Sequence, residues 1–227
     1  MAKIISIEEA VAKIPNGATI MFGGFMGCGS AHSIIAALAK SGKKDFTMIC
    51  NDAAGPNHNG EEFYATAKLV HNHQIKKLIA THVGLNPEVA QQMNDGSLEV
   101  CLIPQGSMAE MIRAGGAGLG GVLTPTGVNT IIEQNEFCIE KKNIKGRDYL
   151  MMAPLHADFA LVSAYKIDKA GNMWYKGDTR NFNTVMATAA DCVIAEAENI
   201  VEVGEIGPEE VVTSGAYVNY IVDGGNR

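Results

Sequence analysis

Apolar and polar positions alternate in blocks along this chain, and the lengths of the blocks define its elements. Ser6-Ile7-Glu8-Glu9 reads as a capping box. Its short helix closes before the turn signal Pro15-Asn16-Gly17. Thr19 to Phe22 is a β-branched and apolar run of buried-strand length, followed by Gly23, Gly24, Gly27, Cys28 and Gly29. From about Ala31, the residues Ala31, Ile34, Ile35 and Leu38 recur on one face of a helix that stops at Ser41-Gly42. Phe46 to Cys50 predicts a second buried strand ending in Asn51-Asp52, and Gly55 to Gly60 a polar loop. Glu61 to Val70 reads as a helix and Lys77 to Thr81 as a third strand. Asn86-Pro87-Glu88 supplies an N-cap, a first-turn proline and a first-turn acid, opening a helix that ends at Gly96. Leu98 to Ile103 predicts a fourth strand, closed by the loop Pro104-Gln105-Gly106. Ser107-Met108-Ala109-Glu110 then reads as a second capping box whose helix runs into Gly115-Gly116.

Strand and helix thus alternate four times. That rhythm predicts an α/β fold with an open, mostly parallel sheet flanked by helices. A β-rich excursion follows in the second half. Phe137 to Lys142 and Tyr149 to Met152 flank the turn Lys145-Gly146, and Leu161 to Ile167 and Met173 to Tyr175 flank the hairpin turn Ala170-Gly171-Asn172. Phe182 to Ala190 reads as helical and Cys192 to Ala195 as a final core strand. With no biased linker, low-complexity tract or internal repeat, residues 1–227 are expected to form a single domain.

Composition narrows the function classes. At 227 residues and 47% hydrophobic, the chain can bury a large core. A net charge of −7 with scattered basic residues argues against a nucleic-acid partner. No apolar run approaches the roughly 18 residues of a membrane span, and the start of the chain lacks a signal h-region, so a cytoplasmic protein with no membrane partner is expected. Cys28, Cys50, Cys101, Cys138 and Cys192 lie far apart without a C-x-x-C pair, as reduced thiols do.

Strand, glycine loop and helix start form the geometry that aims free backbone N–H groups and a positive helix end at an anion. A phosphate-bearing ligand is the sharp expectation, and a tight turn that binds nothing is the plain one. Ligands of open α/β sheets sit outside the carboxyl ends of the strands. That rule gathers the loop residues Gly23 to Ser30 with Asn51, Asp52 and Gln105. Asn51 and Gln105 can each donate and accept, which suits orienting a carboxylate or carbonyl; alternatively, each is a turn residue bonded to its own backbone.

A nucleotide-dependent, Rossmann-like oxidoreductase competes. Gly27-Cys28-Gly29 supplies G-x-G and Asp52 a ribose acid, but the third glycine position holds His32. Cys28 occupies the place of a nucleophile whose pKa a helix start would lower, yet the elbow glycines are replaced by Met26 and Ser30. His58, His71, His73 and His82 have no carboxylate or cysteine at ligand spacing, so no metal is expected. Glu110 and Arg113 read as a solvated helix pair. The remaining carboxylates fall in caps, first turns, polar loops and helix faces, and none stands out as an activated nucleophile. The ligand loops are therefore expected to be completed by a catalytic group on another polypeptide.

Several landmarks in order carry a resemblance over nearly the whole chain. Asn16-Gly17 with Gly23-Gly24-Phe25-x-x-x-Gly29 resembles the signature of the family I CoA-transferase alpha (A) subunit. The run Pro104-Gln105-Gly106-Ser107-Met108-Ala109-Glu110-x-Ile112-Arg113-Ala114-Gly115-Gly116-Ala117-Gly118 resembles that family's second long landmark. Asn51-Asp52-Ala53, Gly127 and Arg180-Asn181-Phe182-Asn183 also fit, and Gly118 to Gly127 looks most like the butyrate–acetoacetate branch. Where the family has Pro-Glu after the glycine loop, this chain has Ala31-His32, a departure expected to loosen the helix start and to bear on the acyl pocket.

The resemblance implies CoA exchange between a short-chain acyl-CoA and a free carboxylate, with coenzyme A as substrate and no permanently bound cofactor. It implies a beta-subunit partner, in an alpha2beta2 assembly, that carries a glutamate nucleophile, and hence no catalytic residue in this chain. It implies that Gly24, Phe25, Met26, Gly27, Cys28, Gly29 and Ser30 border CoA and that Asn51 and Gln105 orient the substrate. A CoA-binding paralogue without catalysis is the remaining alternative.

Overall fold

The computed structural model describes residues 2–57 and 62–225. Its central sheet runs in the order β1 (Lys3–Ile5), β12 (Tyr220–Asp223), β11 (Ala190–Val201), β9 (Ala157–Asp168), β2 (Thr19–Phe22), β3 (Phe46–Cys50), β4 (Ile75–Ala80), β5 (Glu99–Leu102). All these neighbours are parallel, and only β10 (Met173–Trp174) pairs antiparallel, with β9. A second, antiparallel sheet has the order β6 (Val122–Thr124), β8 (Arg147–Met152), β7 (Cys138–Ile144). The mostly parallel α/β sheet and the β-rich excursion of the second half are both as the sequence pattern predicts.

Side chains along the central strands alternate between two cores. Ile20, Phe22, Met48, Cys50, Leu78, Leu161 and Ile194 face one way, together with residues of α1 (Ile7–Lys13), α2 (His32–Lys40) and α3 (Ala67–His71). Met21, Ile49, Ile79, Val162 and Val193 face the other, with α5 (Gln105–Gly116), α6 (Asn183–Met186) and the small sheet. Burial on both faces explains why these strands read as unbroken apolar runs rather than as alternating ones.

Local start signals behave as their chemistry requires at two helices. Ser6 and Glu9 close the capping box of α1, and Asn86 accepts from the Glu88 N–H at the start of α4 (Pro87–Asp95), which ends on left-handed Gly96. Three expectations are corrected. Helix α5 begins at Gln105 with no side-chain cap, so Ser107 lies inside its first turn, and the Ser107 hydroxyl is buried with no hydrogen-bond partner among the described residues. The segment Phe182 to Ala190 is helical only at Asn183–Met186, and Ala190 already opens β11. Helix α3 starts at Ala67, well inside the expected Glu61–Val70, of which Glu61 lies outside the described residues.

The topology locates the site. From β2 the chain winds outward through β3, β4 and β5, whereas β9, β11 and β12 build toward the opposite edge. The gap between β2 and β9 is therefore a topological switch point, the place where an open α/β sheet leaves a crevice at its carboxyl end.

Candidate functional site

The loop leaving β2 is a small hairpin. The N–H of Phe25 donates to the Cys28 carbonyl at 3.0 Å, and the Cys28 N–H donates back at 2.9 Å. Between them Met26 (φ 50°) and Gly27 (φ 79°) are both left-handed, the pattern of a type I′ turn. Gly24 has φ 120°, and a Cβ there would stand 2.3 Å from the Ser30 hydroxyl oxygen. Only glycine tolerates that combination. Ser30 Oγ in turn donates to the Gly23 carbonyl at 3.2 Å. Gly24, Gly27 and Ser30 are accordingly buried within the loop, while Phe25, Met26 and Cys28 form its exposed tip.

Three side chains hold this tip from behind. Asp52 Oδ2 accepts from the Met26 N–H at 2.8 Å and from Asn51 Nδ2 at 2.6 Å, and its Oδ1 accepts from the Ala54 N–H at 2.8 Å. Asn181 Nδ2 donates to the Cys28 carbonyl at 2.9 Å. Asn183, fully buried, donates through Nδ2 to the carbonyls of Gly29 and Thr179, both at 2.8 Å, and accepts from the Ser163 N–H of β9 at 3.0 Å. The loop is thereby tied across the switch point to the far half of the sheet.

The start of α2 is not open to an anion. Glu196, on β11 and 1% exposed, accepts from the N–H groups of Ser33 (3.1 Å) and Ile34 (2.9 Å). A carboxylate of the protein itself occupies the position expected for a phosphate, where the positive helix end favours it. At Ala31-His32, α2 begins at His32, with Ala31 as the N-cap residue and no proline. Asp52 and Glu196 are buried carboxylates with fixed partners beside the glycine loop, which corrects the reading that assigned every acid to caps, loops and helix faces of its own neighbourhood.

Asn51 and Gln105, expected to act on one ligand, are brought together. Gln105 Nε2 donates to Asn51 Oδ1 at 2.6 Å, and the Thr81 hydroxyl donates to the Asn51 carbonyl at 2.9 Å and reaches Asn51 Oδ1 at 3.2 Å. Asn51 is fully buried, with both polar ends of its side chain engaged. Gln105 is exposed, as the first residue of α5 rather than part of a loop, and its Oε1 has no hydrogen-bond partner among the described residues. Gln105, Asn51, Asp52 and Met26 form one hydrogen-bonded chain across the carboxyl ends of β5, β3 and β2.

Three grooves open around the loop tip. One of about 680 Å³ is bounded by Phe25, Met26, Cys28 and the exposed Arg180, which makes no ion pair among the described residues. A second, of about 450 Å³, lies on the other side of Met26. The third, about 250 Å³, lies between Cys28, His32, Tyr64 and Glu198. Burial, and then the charge of Asp52, pushes the Cys50 thiol well up, so that sulfur is no nucleophile here. His71 pairs with Glu88 at 3.0 Å and stacks on Phe63, and His58 lies outside the described residues. The sequence carried hints of Asn183 and Glu196, the first in the Arg180–Asn183 landmark, the second a lone acid in the apolar run Cys192 to Ala197.

Residues 4–224 match the family described as Coenzyme A transferase. The chain is 45% identical over 221 residues to the acetoacetyl-CoA:acetate/butyrate CoA transferase alpha subunit of Clostridium acetobutylicum, covering 97% of each chain. It is 41% identical over 222 residues to the acetate CoA-transferase subunit alpha of Escherichia coli K12, covering 97% of this chain and 96% of that one. Its fold is like that of the acyl-CoA transferase YdiF of E. coli O157:H7, solved as a thioester complex with CoA, at a TM-score of 0.85 and 20% identity. The match covers 98% of this chain and 47% of that longer one.

Proposed function

The chain belongs to the coenzyme A transferase family, and from that premise we propose that it is the alpha subunit of a short-chain acyl-CoA:carboxylate CoA-transferase of the acetoacetate, butyrate and acetate type. It works as one domain, in the cytoplasm, with coenzyme A entering only as substrate. A beta subunit joins it in an alpha2beta2 assembly and supplies the nucleophile. The observation that carries this reading is the chain Gln105–Asn51–Asp52–Met26, which joins residues of three separate landmarks at one crevice.

In the reaction a glutamate carboxylate of the beta subunit attacks the thioester carbonyl, and the C–S bond breaks to give a mixed anhydride and CoA thiolate. The thiolate attacks the glutamyl carbonyl, releasing the acyl group as a free carboxylate and leaving a glutamyl–CoA thioester. A second carboxylate runs the two steps in reverse. One thioester is exchanged for another, so no ATP is consumed. In this chain Gly24, Phe25, Met26, Gly27, Cys28, Gly29 and Ser30 form the border of the CoA site. Phe25, Met26 and Cys28 supply its contact surface, and Gly24, Gly27 and Ser30 fix the shape of the turn. Gln105, with an amide oxygen that has no partner among the described residues and an amide N–H₂ pinned by Asn51, orients the substrate, and Asn51 sets the orientation of Gln105. A Rossmann-type dinucleotide cofactor is disfavoured, because both Asp52 oxygens are engaged by Met26, Asn51 and Ala54 rather than presented to a ribose.

The test is reconstitution. This chain alone is expected to be inactive, and its complex with the beta subunit to exchange CoA. Borohydride added after acyl-CoA reduces the enzyme thioester and marks its glutamate on the beta subunit. A mark on this chain would reassign the nucleophile, and binding of acyl-CoA without exchange by the complex would make the protein a CoA-binding paralogue.

A further inference from the structure

The groove of about 450 Å³ beside the loop is walled mainly by carbon. Met26, Ala54, Pro56, Phe63, Tyr64 and Leu85 give it that surface, and the polar side chains on its lining are Asn57 and Glu62. It begins where the polar chain ends, since the Met26 N–H is the group held by Asp52 and the Ala54 N–H is held by the other oxygen of the same carboxylate. On the far side of Tyr64 lies the smaller, polar cleft that contains Cys28, His32, Ser163 and Glu198. Tyr64 lines both spaces.

Its ring is fixed twice. A Cβ on Gly27 would fall 2.2 Å from Tyr64 Cε1 and 2.5 Å from Tyr64 Cδ1, so the ring packs against the bare α-carbon of the turn. The Tyr64 hydroxyl meets His32 Nε2 at 3.1 Å, with the two rings 4.7 Å apart between centroids. Tyr64, which borders both spaces, is therefore half exposed yet held at both its ring and its hydroxyl.

We propose that this groove receives the acyl chain of the thioester, and that Tyr64, held by Gly27 and His32, is the wall that limits the length of that chain. The inference rests on the transferase reading and names the part of the substrate that the reading leaves unplaced. The occupant is a short aliphatic chain because the groove offers carbon surface, opens at the exposed loop tip, and is closed on one side by the partition. The charged and polar parts of the substrate are served by Gln105 and by the polar edges of the neighbouring clefts.

The experiment uses the complete complex with the beta subunit and measures kcat/KM for acetyl-, butyryl- and hexanoyl-CoA with one carboxylate acceptor. Tyr64→Ala removes the wall and Tyr64→Phe only its tether, while Leu85→Trp fills the groove from the opposite side. Tyr64 and Leu85 are both exposed, so the variants are expected to fold. The ratio of hexanoyl to acetyl kcat/KM is expected to rise about tenfold in Tyr64→Ala, to rise less in Tyr64→Phe, and to fall about tenfold in Leu85→Trp, the scale of a change of a methylene or more in an apolar pocket. Ratios unchanged in all three, with the wild-type complex active, overturn the acyl groove and leave the transferase reading standing. A wild-type complex that exchanges CoA with none of the three donors overturns the transferase reading and the groove with it.

Discussion

Gln105 Nε2 donates to Asn51 Oδ1 at 2.6 Å across 54 positions of sequence. The contact joins the start of α5 to the end of β3 and leaves the Oε1 of the exposed Gln105 without a hydrogen-bond partner among the described residues. It makes the two residues one device: Asn51 is buried and sets the amide plane, and Gln105 presents it.

Replacing Gln105 tests that device. In the assembled enzyme, Gln105→Ala is expected to lower kcat/KM by roughly 10–100-fold, the scale of one polar contact of about 1–3 kcal/mol. Asn51 Oδ1 keeps the Thr81 hydroxyl, so the melting temperature should move by only a few degrees. A large drop in melting temperature with activity retained would make the residue structural.

Gly24 makes the opposite prediction. Its φ of 120° and the 2.3 Å approach to Ser30 mean that a side chain meets the protein before it meets any ligand. Gly24→Val should therefore lose activity together with thermal stability. Met26→Ala, at the exposed tip, should change KM with little change in melting temperature. A Gly24→Val protein that is inactive but melts like wild type would show a side chain blocking the ligand and not the fold.

Glu196→Gln probes the start of α2. The amide retains one acceptor oxygen for two N–H donors and turns its own N–H₂ group toward the other. One buried donor is left unsatisfied, at a cost of about 1–3 kcal/mol. For a chain of this size that is roughly 2–4 °C in melting temperature per kcal/mol, readable by scanning calorimetry. No change in melting temperature would mean that the helix start does not depend on this cap.

Tyr175 supplies a pH dependence. Burial raises its phenol to about 12, against a hydrogen bond with Thr213 that lowers it. The unfolded chain loses that proton near pH 10. The raised value thus contributes stability that is complete below about pH 10 and lost as the pH climbs through the folded value. Urea unfolding at successive alkaline pH values should find the stability of wild type falling more steeply than that of Tyr175→Phe. Parallel curves would assign the alkaline loss to other groups.

What the sequence made legible follows the range of each contact. The four strand–helix alternations are local, and Asn51 and Gln105 stand out because each closes a strand. Strands β1 and β12 pair with each other from opposite ends of the chain, so the partner that makes each a strand lies far from it in sequence. The apolar pattern reaches only Leu161 to Ile167 of β9 and Cys192 to Ala195 of β11, because beyond it the strands carry the polar residues Asp158, Asp168, Glu198 and Asn199. Asn183 and Glu196 gain their roles only by reaching Gly29, 154 positions away, and Ser33, 163 positions away. Asp52 was visible as an acid after a strand, but its duty, holding the Met26 amide, depends on a hairpin that spacing alone does not reveal.

That hairpin has a consequence for amide hydrogen exchange. Met26 leaves 53% of its surface in water, yet its N–H is held by a buried carboxylate, and the N–H of exposed Cys28 is held by Phe25. Exposed loop amides ordinarily exchange through small local fluctuations. These two can be released only when the turn parts from Asp52 or opens its own paired hydrogen bonds, so their exchange reports on the anchoring of the whole crevice. The tip is a surface feature with the kinetics of the interior.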